Sequence, residues 1–111
     1  MTLAASPTPP LWQSAADRLH AARPAAAILL FGSQARGDAR PDSDMDFLVV
    51  LPAPPRSRRR EMVELRDEIH PLRLPADVLV VDAAEFRQRA AVPGTLYHSA
   101  LHEGKWLYGS P

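Results

Sequence analysis

Eight residues, Asp44 to Leu51, read as a strand, two aspartates heading an apolar run. Asp44, Asp46, Leu48 and Val50 fall on one face, and Met45, Phe47, Val49 and Leu51 on the other. Two carboxylates therefore stand side by side at the head of an apolar strand, and Pro52, Pro54 and Pro55 end it. Two more short apolar runs have the length of buried strands, Ala26 to Phe31 and Ala76 to Val81. The second of these places Asp77, Leu79 and Val81 on one face.

The segments between read as helices and turns. Thr8-Pro9-Pro10 has the form of a helix start, and Leu11, Trp12, Ala15, Ala16, Leu19 and Ala22 then share a face until Pro24. Arg58 to His70 is a charged amphipathic helix with Met62, Leu65 and Ile69 on its apolar side, and Arg60 and Glu64 one turn apart. Asp82-Ala83-Ala84-Glu85 has the spacing of a capping box. Thr95 caps a last helix that Gly104 stops, and Lys105 to Tyr108 returns as a short edge strand. Residues 1–8 read as a loose leader and residues 9–108 as one domain.

Composition narrows the function by exclusion. Thirteen basic and thirteen acidic residues cancel, so bulk charge gives no reason to expect nucleic acid or a membrane surface. The absence of cysteine removes disulfides and thiolate metal sites. No apolar run approaches the ~18–20 residues of a membrane span. The expected location is the cytoplasm. With 111 residues the core is thin, and an oligomer or partner is a natural way to bury more surface.

Two like charges held together on one strand face call for a cation or for full solvation. Oxygen-only ligands favour Mg²⁺ or Mn²⁺, and Mg²⁺ prefers one or two carboxylates plus substrate phosphate oxygens. A third carboxylate would complete a two-metal site for in-line displacement. Asp77 is the natural candidate, because a neighbouring strand could set it beside Asp46. An Asp-x-Asp pair alone is more often a strand entrance. Here it follows Leu29-Leu30-Phe31-Gly32-Ser33, where glycine lets backbone approach a phosphate and free N–H groups favour anions.

Taken together, these residues resemble the nucleotidyltransferase (polymerase beta-like) superfamily, and within it the minimal, MNT-type (MntA-like) group. The pattern is an apolar strand, Gly32-Ser33, about ten residues, Asp44-Met45-Asp46 in an apolar strand, and a later Asp77. Ala35-Arg36-Gly37, Ser43 before Asp44, and the closing Glu103-Gly104-Lys105-Trp106-Leu107-Tyr108 also match the minimal group. The resemblance covers about residues 10–108. It implies an α+β fold, a small mixed β-sheet flanked by helices. It also implies catalytic and metal-binding roles for Asp44, Asp46 and Asp77, with two Mg²⁺ ions and ATP as substrate. Gly32, Ser33, Arg36 and Ser43 would face the nucleotide. Arg36 could equally clamp the loop through carbonyls.

The chemistry so implied is transfer of NMP to a hydroxyl with pyrophosphate leaving. The minimal group is often paired with a HEPN-type toxin, so the expected role is an antitoxin that adds AMP to a partner tyrosine. A binding-only antitoxin, and an enzyme acting on a small molecule or RNA, are the alternatives. Weaker signals remain outside this pattern. Arg56 and Arg58-Arg59-Arg60 form a basic cluster at a helix start, where the dipole disfavours it. His98 and His102 have i, i+4 spacing without the glutamate of a zinc protease. His20 and His70 read as structural, and Trp12 and Trp106 as core or interface.

Overall fold

The computed structural model of the chain describes residues 10–32, 35 and 44–110. Its elements follow the hydrophobic pattern closely. They are α1 (Leu11–Ala22), β1 (Ala27–Phe31), β2 (Met45–Leu51), α2 (Arg58–Ile69), a 3₁₀ turn (His70–Leu72), β3 (Ala76–Asp82), α3 (Ala83–Ala90), α4 (Leu96–Glu103) and β4 (Lys105–Tyr108). The four strands form one mixed sheet in the order β3-β2-β1-β4. β1 is antiparallel to both neighbours, and β2 and β3 are parallel. A parallel pair needs a crossover, and α2 supplies it. This is the expected α+β architecture.

Alternation along the strands divides the core in two. Ile28, Leu30, Phe47, Val49, Val78 and Val80 pack against Ala15, Ala16 and Leu19 of α1 and Leu65 and Ile69 of α2. On the other face Leu29, Leu48, Val50 and Val81 pack against Phe86 and Ala90 of α3 and Ala100 of α4. The two long helices are tied together by Arg23. Its Nε donates to Glu61 at 2.8 Å and its Nη2 to Glu64 at 2.7 Å. Glu64 also accepts from Arg60 at 3.1 Å, the one-turn pair expected from spacing. Arg60 and Arg23 together hold the Glu64 carboxyl below its ordinary range, chiefly through the hydrogen bond from Arg60.

The caps behave as their chemistry demands. Asp82 accepts from the backbone N–H of Glu85 at 3.0 Å, and Thr95 from that of His98 at 3.1 Å. Gly104 closes α4 where space is tightest, since a Cβ would collide with the Ala100 carbonyl and crowd Leu29 and Leu30. β4 then runs along β1 as an edge strand, as expected.

Five boundaries differ from expectation, among them that of β1, which begins at Ala27 rather than Ala26. β2 begins at Met45, with Asp44 just ahead of it, and β3 continues to Asp82. α2 ends at Ile69 because Pro71 cannot continue the ladder, and a 3₁₀ turn leads to Arg73 in the left-handed region (φ 53). Leu11 is 63% exposed, so the buried stripe of α1 starts a turn later, at Ala15. The expected Thr8 cap lies outside the described residues.

Candidate functional site

The carboxylates gather where β1 ends and β2 and β3 begin. In the parallel pair Asp46 stands directly opposite Asp77, and in the antiparallel pair it stands opposite Phe31. Neighbouring strands lie ~4.8 Å apart, so Asp46 and Asp77 are adjacent on one face of the sheet. The two strand heads are pinned together, because the Met45 N–H donates to the Pro75 carbonyl at 2.9 Å. Asp44 precedes β2 by one residue and is exposed.

Gly32 completes the corner. It leaves β1 at φ +76, and a Cβ there would collide with Oδ2 of Asp46. Only glycine satisfies both the left-handed backbone and that close approach. A cleft of about 200 Å³ opens beside it, lined by Phe31 and Gly32 on the sheet side and by Leu96, Ser99, Ala100 and Glu103 of α4. Ser33, Arg36 and Ser43, the other expected nucleotide contacts, lie outside the described residues.

Asp77 has a partner that the spacing of the sequence did not announce. Nη2 of Arg66, on α2, donates to its Oδ1 at 3.1 Å. Both side chains are about half exposed, 46% and 60%. Among the described residues no three His, Asp or Glu side chains close around a common ion position. The donor chemistry and register nevertheless fit a hard divalent cation. Turning Asp77 toward Asp46 requires breaking only an exposed ion pair, worth ~0–1 kcal/mol. Asp82, the other acidic residue of β3, is committed to capping α3.

The remaining signals resolve into ordinary structure. Arg58 pairs with Glu85 and Arg60 with Glu64, so the basic cluster at the start of α2 is partly neutralised within the chain. His20 stacks on Tyr108, ring centroids 4.0 Å apart, and the Tyr108 hydroxyl donates to Asp17. Trp12 and Trp106 are both half-buried, against the two different clusters. No helix among the described residues is long and apolar enough to cross a membrane.

The nucleotidyltransferase domain family model matches residues 14–105, and the chain belongs to that family. Solved structures share the fold, among them the two that follow. A candidate nucleotidyltransferase from Sulfolobus solfataricus superposes with a TM-score of 0.58 at 21% identity, over 86% of this chain and 75% of its own. A toxin–antitoxin structure with AMP-PNP superposes with a TM-score of 0.55 at 24% identity, over 88% of this chain and 73% of its own. No curated protein matches at a significant level.

Two features of the site escaped the sequence reading. The Arg66–Asp77 contact depends on the tight return through His70–Leu72, and α4 as a wall of the Gly32 cleft depends on tertiary packing. Neither carries a local signal.

Proposed function

We propose that this chain transfers AMP from ATP to a hydroxyl of a protein partner, a tyrosine of a HEPN-type toxin, and thereby acts as its antitoxin. The observation that carries this reading is the register of Asp46 with Asp77, closed by Gly32 against the Asp46 carboxylate. Membership of the nucleotidyltransferase family supports the transfer itself. The likeness to a toxin–antitoxin structure with AMP-PNP motivates the partner and the nucleotide.

In this reading Asp44, Asp46 and Asp77 would together hold the metal ions. Two Mg²⁺ ions bound there would supply Lewis-acid activation of the hydroxyl and charge neutralisation on the triphosphate. Gly32 lets the Asp46 carboxylate lie against the backbone at the end of β1, and Ser33, Arg36 and Ser43 would face the triphosphate. The partner hydroxyl oxygen bonds to the α-phosphorus, the bond to the bridging oxygen breaks, and pyrophosphate departs. Asp77 takes the hydroxyl proton.

The test mixes the protein with the product of the adjacent gene, Mg²⁺ and ATP, and weighs that product intact. Substoichiometric protein is expected to add AMP in steps of ~329 Da, because a carboxylate site turns over. Asp44→Asn is expected to bind without modifying. A partner of unchanged mass, neutralised equally by wild type and variant at one-to-one stoichiometry, would establish the binding-only antitoxin instead.

A further inference from the structure

A cavity of about 500 Å³ lies apart from the Gly32 cleft. It lies on the opposite side of α4, between α3, α4 and β4. The same eight-residue helix therefore walls both spaces. Leu96, Ser99, Ala100 and Glu103 line the cleft, and His98, Leu101 and His102 line the cavity.

Its chemistry is distinctive. Phe86 and Trp106 meet edge to face at 5.7 Å and give it an aromatic floor. His98 and His102 form one side, their ring centroids 4.2 Å apart. A carbonyl can only accept, so the 2.9 Å contact between His98 Nδ1 and the Ala90 carbonyl puts the proton on Nδ1 and fixes the ring. Arg87 stands at the rim, and among the described residues it has no ion-pair or hydrogen-bond partner. Its helix neighbour Arg89, by contrast, pairs with Glu85 at 2.9 Å. No acidic side chain lines the cavity among the described residues. The volume is that of a site for a drug-sized molecule. The lining joins aromatic surface to one planar, exposed cation with no partner among the described residues, which suits a carboxylate or phosphate.

We infer that this cavity is a second ligand site, for a small aromatic anion whose ring lies against Phe86 and Trp106 and whose carboxylate or phosphate pairs with Arg87. The inference stands apart from nucleotidyl transfer, since none of these residues belongs to the carboxylate corner.

The test uses indole-3-acetate and phenyl phosphate as probes, with tryptophol as the neutral counterpart of the first. Binding is followed by ¹H–¹⁵N spectra of the full chain. Indole-3-acetate is expected to shift the indole N–H of Trp106 and the ring signals of His98 and His102, and to leave Trp12 unmoved. Tryptophol, and indole-3-acetate with Arg87→Ala, are each expected to bind ~10-fold more weakly, the scale of one charge-assisted contact. Arg87→Lys should recover part of the loss. If phenyl phosphate binds more tightly than indole-3-acetate through Arg87, the natural head group is a phosphate; the reverse order names a carboxylate. Three results would overturn the inference: no shifts at millimolar probe, equal binding of tryptophol, or undiminished binding by Arg87→Ala. It also fails if sedimentation shows that the same signals respond to self-association of the protein rather than to probe.

Discussion

The two faces of the sheet are built to different standards. One is covered by α1 and α2, twelve residues each, and its apolar residues close completely over Phe47, Ile28 and Leu30. The other is covered by α3 and α4, eight residues each. There the helices close over Leu29, Leu48 and Phe86 but leave the heads of β2 and β3 open, and Asp46 and Asp77 stand in that opening. The same strands serve both faces, because their period of two sends Met45, Phe47 and Val49 one way and Asp46, Leu48 and Val50 the other. One face sets stability, and the other spends its coverage on access.

That contrast predicts a separation of effects. The largest lies in the closed face. Phe47→Ala removes a fully buried ring and should cost ~3–5 kcal/mol, read as a drop in chemical-denaturation midpoint without change in slope. A cost below ~1 kcal/mol would mean that this layer is loosely packed and the contrast false. Next, Asp46→Asn on the open face should lower AMP transfer ~10²–10³-fold or more, the scale of losing one charge-stabilising group at a transition state. Its thermal midpoint should hold or rise without metal, because removing one of two neighbouring carboxylates relieves repulsion. Retained transfer would remove Asp46 from the chemistry.

Gly32→Ala tests where the two standards meet. The left-handed backbone alone should cost ~1–2 kcal/mol, and the added Cβ displaces the Asp46 carboxylate, so transfer should fall further than stability does. Equal losses in both would make Gly32 only a turn. The smallest effect concerns the α1–α2 clamp. The Glu64 carboxyl is held down by Arg60 and Arg23, so its contribution is present above the ordinary carboxylate range and disappears as pH falls through and below that range. Wild type should therefore lose a little more thermal stability than Glu64→Gln on acidification, and salt should shrink the difference. Parallel curves would mean that the pair adds nothing.

Much of this contrast is legible in the sequence, and the reason is local. The alternation of Asp44 to Leu51, the run from Ala76, the Thr95 and Asp82 caps and the Gly104 stop all act within a few residues. The adjacency of Asp46 and Asp77 follows once β2 and β3 are neighbours, although strand order itself is not written in any one segment. What the sequence hides is long-range. Arg66 reaches Asp77 only after the chain turns back through His70–Leu72, and Arg58 reaches Glu85 across the α2–α3 gap. Leu11 looks like the first rung of an apolar stripe, yet it is left exposed while Trp12 beside it packs on the core.

The place of β4 in the sheet has a consequence for how the chain reaches this state. Ile28 pairs with Tyr108, and Leu30 with Lys105, so the strand that covers the outer side of β1 is contributed by the last described element. Pairing β4 with β1 closes a longer loop than the β2–α2–β3 crossover does, so it is expected to form later. Until it happens, β1 is itself an edge, and Ala27 to Leu30, all buried in the finished sheet, present unpaired backbone along an apolar ribbon. During synthesis from the N-terminus that ribbon emerges before β4 does. The interval before Lys105–Tyr108 dock is therefore when this protein is most exposed to mispairing with another chain.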